Sequence, residues 1–386
     1  MAFFYTRLLD RVWRRRLLDP QTQFCHNPAC PARGVAGQGH IRIHSRKHER
    51  YQCKRCRQTF AATRDTPAYR LHTDLALVAL VLTLLTHGCP LPAIVAAYHL
   101  DERTVAAWLA RAGTHAQALH EHQVQQGHLD LGHVQADEIW VKCVGRKVWM
   151  ALALAVPTRL WLGGAVSASR DGALIQGLIE RVRAAALVTT LLICVDGLAS
   201  YVTAVRQVFR HPVYSGRRGR PRLVADTGVL LGQMIKHTVQ RRLIWVEQRI
   251  VQGTPAVIRR VLAETGTGAG INTAYIERLN ATFRGALAPL ARRSRRLLHQ
   301  PAQLSAAMWL VGTVYNFCWE HAALQQIAVV NGRLARVGQT PAMAAGLTDH
   351  CWTMTEFLRY QVPLPPWIPP KRRGRPPKPA PVGGAP

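Results

Sequence analysis

The most constraining stretch of this chain is residues 131–210, where the hydrophobic period changes twice. Residues 131–142, 147–157 and 159–167 read as three strand-like runs joined by short turns. Residues 171–186 read as an amphipathic helix, 189–195 as a continuous apolar run, and 200–210 as helix again. Alternation marks half-buried strands, and an unbroken short apolar run marks a strand buried on both faces, as in parallel sheets. Three strands, a helix, a strand and a helix is an α/β order. With 386 residues, 48% of them hydrophobic, the chain can build two to three domains and is not globally disordered.

Two acids stand out in that region. Asp137 lies in mid-strand, in Val134-Gln-Ala-Asp137-Glu138-Ile-Trp140, where a charge is costly unless paired or metal-bound. Asp196 ends the apolar run and precedes Gly197, at the position where α/β sheets place ligands. If the first and fourth strands lie side by side and parallel, the two carboxylates converge and need a shared cation. Oxygen ligands of this kind suit Mg²⁺ or Mn²⁺. The best third carboxylate is Glu277. On a helix, Ile276, Leu279 and Phe283 form a buried stripe, with Glu277, Asn280 and Arg284 aligned beside it. That line offers a metal ligand, an amide and a phosphate-pairing guanidinium to one opening. Glu138 is the rival to Asp137, expected on the other side of the strand. Taken singly, a strand-end cap, an arginine partner and a helix-surface acid account for Asp196, Asp137 and Glu277. Taken together, they fall on the right elements in the right order.

Four of the nine cysteines form two close pairs, Cys25/Cys30 and Cys53/Cys56. Two such pairs on tight turns can place four thiolates around one Zn²⁺, as in a zinc ribbon. Neighbouring Lys54 and Arg55 favour thiolate. The alternative is a small apolar cluster of free cysteines. His40, His44 and His48 are rival ligands, but Ile41 and Ile43 alternate with polar residues, so this stretch reads as a strand with surface histidines.

Lys plus Arg number 50 against 21 acids, a net charge of +29, which favours a polyanionic partner, most commonly nucleic acid. The longest apolar run, residues 75–86, falls short of the ~20 residues that span a bilayer. Residues 74–87, 93–99 and 102–112 read as three helices, with stops at Gly88 and Gly113, prolines at 90 and 92, and Asp101 as an N-cap. Val105, Trp108 and Leu109 face inward, while Arg103, Ala107 and Arg111 share the outer face. Two short helices across a tight turn, with a small-and-basic outer face, read as a helix-turn-helix for double-stranded DNA, against the alternative of a plain three-helix packing element. Arg292, Arg293, Arg295 and Arg296 offer a phosphate clamp or a solvated basic face. Residues 361–386 hold ten Pro, five Lys/Arg and no acid, a disordered tail in which Arg373-Gly374-Arg375-Pro376 resembles an AT-hook for the minor groove. Trp140 and Trp245 offer stacking faces for a flipped base, but core packing is the expectation for both.

The segments Gln135–Trp140, Val195–Gly197 and Tyr275–Arg284 together resemble the three acidic motifs of bacterial insertion-sequence transposases of the DDE superfamily, whose core is ribonuclease-H-like. A zinc ribbon followed by helix-turn-helix resembles the "IS one" type family. The resemblance spans roughly residues 20–330 and departs from it in the four-residue gap between Cys25 and Cys30 and in the long tail. It implies Asp137, Asp196 and Glu277 as a triad for two divalent ions, and Arg284 as a contact to substrate phosphate. It further implies metal-dependent DNA cleavage and strand transfer on element ends and target, a homodimer or higher oligomer on DNA, and a cytoplasmic, nucleoid-associated, prokaryotic setting. Rival functions are a catalytically inactive DNA-binding regulator built on the same core and a structure-specific nuclease.

The expected organisation is a basic N-terminal helix (1–20), a zinc ribbon (21–69), a helix-turn-helix domain (70–114), a linker helix (115–130) and a catalytic domain (131–330) with a basic insertion at about 211–268. A C-terminal helical extension (331–360) and the tail (361–386) complete it.

Overall fold

The computed structural model describes residues 18–369, apart from 127, 188, 215, 217, 218, 241, 269, 292–297, 331 and 332. The expected N-terminal helix, the four arginines between 292 and 296, and Arg373 and Arg375 fall outside the described residues. The chain divides into two units, residues 1–65 with 363–386, and residues 66–362. No helix of the described residues is long and apolar enough to cross a membrane.

The smaller unit is built on a three-stranded antiparallel meander, β1 (Ile41–Ser45), β2 (Arg50–Cys53) and β3 (Thr59–Ala61). Alternate residues turn inward, so Ile41, Tyr51, Cys53 and Phe60 form a small core with Cys25, Cys30 and Ala32. His44 is exposed on β1, as a strand with surface histidines requires, while His48 is exposed in the turn that follows it.

The larger unit begins with three helices, α1 (Leu75–Thr86), α2 (Leu91–Tyr98) and α3 (Glu102–Gln123). Asp74 and Asp101 cap α1 and α3 through their side chains, and Gly88, at φ 80°, ends α1 in the left-handed region that favours glycine. Gly113 does not end a helix. The expected stop and separate linker helix are one continuous element. A Cβ at Gly113 would lie 2.6 Å from Ala306 Cα, so this glycine lets two helices touch backbone to backbone. Val78, Leu82, Val105 and Trp108 share one core cluster with Leu152 and Trp161 of the sheet. The three helices therefore belong to the same packed body as the sheet and are not a detached domain.

The sheet has six strands: β4 (His133–Cys143), β5 (Arg146–Ala155), β6 (Trp161–Ser167), β7 (Leu191–Asp196), β10 (Val229–Val239) and β11 (Arg242–Gln252). The spatial order is β11-β10-β7-β4-β5-β6. β4, β5 and β6 pair antiparallel, β7 runs parallel to β4, β10 parallel to β7, and β11 antiparallel to β10. Between β6 and β7 lies α4 (Gly172–Ala185); after β7 comes α5 (Ala199–Val208), packed on α4. A small hairpin lies beyond it, β8 (Arg210–Val213) with β9 (Arg222–Ala225). After β11 come α6 (Pro255–Glu264), α7 (Ala274–Ala286) and α8 (Pro301–Phe317). The run Met150–Ala155 of β5 is buried on both sides, so helices cover both faces of the sheet.

Two expectations change here. The "insertion" at about 211–268 contains β10 and β11, which are strands of the main sheet. Val229–Leu231 are buried there, but the flanking arginines obscure the apolar core of the run. The long helical stretch to residue 330 ends at Phe317, and a hairpin of β12 (Gln326–Val330) and β13 (Arg333–Val337) occupies the chain beyond it. Two short helices, α9 (Pro341–Ala344) and α10 (Met354–Arg359), are all that remain of the expected C-terminal helical extension.

Candidate functional site

The parallel pairing of β4 and β7 aligns Gln135 with Cys194, and period-two alternation then puts Asp137 and Asp196 on the same face at the carboxyl end of β7. Their carboxylates, with that of Glu138, offer ligand atoms that all lie within 4.8 Å of one another. Asp137, Asp196 and Glu277 line one cavity of about 420 Å³, together with Arg170, Lys236 and Thr273. Glu277 stands apart from the tight cluster of three; it lies on α7, with its side chain 49% exposed. Its Oε1 accepts from Lys236 Nζ at 2.6 Å and from Thr273 Oγ1 at 3.2 Å.

What fixes α7 above the sheet is Gln135. Its Oε1 accepts from the backbone N–H of both Tyr275 and Ile276 at 3.0 Å, and its Nε2 donates to Asn272 O at 2.8 Å. Two otherwise unpaired donors of the first helical turn are thereby satisfied from β4, two residues before Asp137 on the same face. Ile276, Leu279 and Phe283 are buried as the periodicity required. Asn280 is buried with them, and its Nδ2 donates to Asp137 Oδ2 at 2.8 Å. Arg284 is half-buried and does not line the cavity.

Electrostatics at this point are strained. Burial, then the charges of Glu138 and Asp196, push the Asp137 carboxyl up to about 7. The backbone cannot offset a second full charge beside Asp196. Asn280 Oδ1 is also buried with no donor among the described residues. A hard divalent cation held by the carboxylate oxygens would relieve that repulsion. The residues present therefore fit Mg²⁺ or Mn²⁺.

Glu138 leaves β4 toward the opposite face, as alternation demands, yet its end is part of the cluster. Its Oε1 accepts from Arg170 Nε at 2.6 Å and also contacts Arg170 Nη2, while Oε2 accepts from Tyr201 Oη at 2.9 Å. Arg170 Nη2 reaches Asp196 Oδ2 at 3.2 Å. Arg170, Lys236, Gln135 and Thr273 were not singled out from sequence. Gln135 alone carried a readable signal, its two-residue offset from Asp137.

In the smaller unit, Cys25, Cys30, Cys53 and Cys56 bring four sulfur atoms within 4.8 Å of one another. Sγ of Cys25 and Cys56 are 3.6 Å apart, and Sγ of Cys30 and Cys53 are 3.9 Å apart. Tetrahedral sulfur ligands at ~2.3 Å from Zn²⁺ would be separated by roughly 3.8 Å, so the spacing fits such an ion. Burial pushes the Cys56 thiol up, but N–H donation from Gln58 and Asn27 outweighs it and holds the group at about 7. His40, His44 and His48 take no part in this cluster.

On α3, Arg103 is exposed. Arg111 is exposed too, but its Nη2 donates to Tyr69 O at 2.6 Å, so part of its hydrogen-bonding capacity ties down the preceding connector. Neither tryptophan expected in the core is there. Trp140 is 44% exposed under Lys147, and Trp245 is 51% exposed and stacked on His237 at 3.8 Å. A larger cavity of about 890 Å³ lies among α1, α2, α3 and α8, lined chiefly by apolar side chains and without a carboxylate cluster.

No protein-family model and no curated protein matches the chain.

Proposed function

We propose that this chain is a DNA transposase of the DDE type, cleaving and joining DNA strands with divalent ions held by Asp137, Asp196 and Glu277. The observation that carries the reading is the convergence of Asp137 and Asp196 from neighbouring parallel strands, with Glu277 on a helix across the same cavity. The sheet supports a ribonuclease-H-like core. Its first three strands form an antiparallel meander, and the next two add in parallel on the side of the first.

Divalent ions in this site would supply Lewis-acid stabilisation of a phosphodiester and an activated water or 3′-hydroxyl. The chain's own contribution is geometric and electrostatic. Gln135 sets the helix that carries Glu277. Asn280 orients the Asp137 carboxylate. Lys236 and Arg170 balance part of the negative charge. No Ser, Tyr or Cys lines the cavity among the described residues, and the Thr273 hydroxyl donates to Glu277. In this reading the four-cysteine cluster holds Zn²⁺ as a structural ion, and the ribbon and α2–α3 recognise element ends, with Arg103 toward DNA. The chain works in a prokaryotic cytoplasm as an oligomer on the nucleoid.

The test uses supercoiled plasmid carrying the DNA that flanks the coding sequence. With Mg²⁺ or Mn²⁺ the protein should nick the flanks and join the freed 3′ ends to a second duplex. Asp196→Asn should abolish both steps and leave DNA binding intact. Nicking by Asp196→Asn at the wild-type rate would overturn the proposal. DNA binding without any metal-dependent nicking would favour the inactive regulator, and cutting only of branched DNA would favour the nuclease.

A further inference from the structure

Arg170 and Lys236 are the two cationic side chains among the described residues lining the acidic cavity, and they are held very differently. Lys236 makes a simple pair with Glu277, both side chains about half exposed at 51% and 49%. Arg170 is built in. Glu138, whose side chain is 1% exposed, takes its Nε and Nη2, and Tyr201, fully buried on α5, holds the other Glu138 oxygen. The guanidinium also lies 5.3 Å from the centre of the Trp149 ring. One Nη2 contact extends to Asp196, while Nη1 has no protein acceptor among the described residues.

A buried carboxylate at a metal-like cluster is costly unless it has a fixed cationic partner. Glu138 has one, and that occupies it. The four carboxylates are held differently: Glu138 is taken up by Arg170 and Tyr201, while Asp196, which shares Arg170 Nη2, lines the cavity with Asp137 and Glu277. With Nε and Nη2 directed at Glu138 and Asp196, Nη1 is left to donate to a phosphate oxygen.

We infer that Arg170 is the residue that grips the reacting phosphodiester, with Glu138 and Tyr201 as positioning residues that hold it, and that Glu138 is not a metal ligand. This rests on the proposed function for the identity of the reaction, but the grip on a phosphodiester is measurable without it. It also moves the phosphate contact from Arg284, which does not line the cavity, to a side chain that does.

The experiment uses full-length protein, Mn²⁺, and dimethyl phosphate as the probe. Bound Mn²⁺ is counted by electron paramagnetic resonance. Phosphodiester affinity is read from ³¹P relaxation of dimethyl phosphate by the bound ion. Arg170→Ala and Glu138→Gln should bind as much Mn²⁺ as wild type, whereas Asp196→Asn should not. Arg170→Ala should lose roughly tenfold or more in dimethyl phosphate affinity, the range expected for a charged hydrogen bond. Its plasmid nicking should fall about 100-fold in kcat, with guanidinium in the buffer restoring part of the rate, which a merely structural defect would not allow. Glu138→Gln should fall between the two.

Unchanged dimethyl phosphate affinity in Arg170→Ala would overturn the inference, as would loss of Mn²⁺ in Glu138→Gln. Protein that binds Mn²⁺ and dimethyl phosphate through Arg170 but never nicks DNA would sink the transposase reading and leave the Arg170 assignment standing. Wild-type protein that binds no Mn²⁺ would overturn both.

Discussion

Replacing Asp137 by Asn should make the metal-free protein more stable, and the gain should grow with pH. In the fold, burial and the neighbouring carboxylates of Glu138 and Asp196 raise the Asp137 carboxyl from 3.8 to about 7. The unfolded chain therefore releases this proton first. Below about pH 4 both states keep it and the group costs nothing. Between about pH 4 and pH 7 the folded state holds a proton that the unfolded state has lost, so stability falls as pH rises. Above pH 7 the full cost is present. At ~1.36 kcal/mol per pH unit, the penalty is roughly 2 kcal/mol at pH 5 and about 4 kcal/mol at pH 8. Asparagine removes the charge and can still accept from Asn280 Nδ2 through its amide oxygen. The assay is urea unfolding in EDTA, comparing the two proteins at pH 5 and pH 8 by tryptophan fluorescence. The difference should widen by about 2 kcal/mol between those two values. With saturating Mn²⁺ at pH 8 the order should invert, because only the wild type gains from the ion. A stability difference that stays flat across this range would show that Asp137 is not strained, and the argument for a cation at this point would go with it.

Other consequences are equally direct. Cys53→Ser should lower bound zinc, measured by elemental analysis, from one equivalent toward none and expose the ribbon unit to proteolysis, because three sulfurs and a hydroxyl no longer close the tetrahedron. Gly113→Val should destabilise the larger unit by about 3 kcal/mol or more, since a Cβ there meets backbone atoms of Ala306, and thermal unfolding will read it. Trp245→Ala should cost under ~1 kcal/mol, while Trp161→Ala, fully buried against Trp309 and Phe283, should cost about 3–5 kcal/mol in the same measurement. Asp101→Ala removes the N-cap bonds to Arg103 and Thr104 and should cost ~1 kcal/mol.

The sequence by itself determined whatever depends on a local period or a short spacing. The strands β4 to β7 and helices α4 and α5 arise from apolar residues recurring every two or every 3.6 positions, because each such run has one face that must leave water. The paired cysteines and the acids Asp137, Asp196 and Glu277 were legible for a related reason. A charge inside a strand or a thiol pair on a tight turn is costly or conspicuous wherever it folds. Tertiary structure decided what depends on the neighbour. Gly113 looked like a helix end because glycine lowers helix propensity, and only the approach of α8 shows that it serves close packing. Val229–Val239 looked like part of a basic excursion because its flanks are charged, and only pairing with β7 makes it a central strand. Trp140 and Trp245 looked like core residues because large aromatics usually are, yet both lie on strand segments with no layer above them. Arg170 gave no local sign of its role, and Gln135 gave only its two-residue offset from Asp137. A guanidinium bound to an acid 32 residues away, and a side-chain amide that caps a helix about 140 residues away, are set by distances in space that no window along the chain contains.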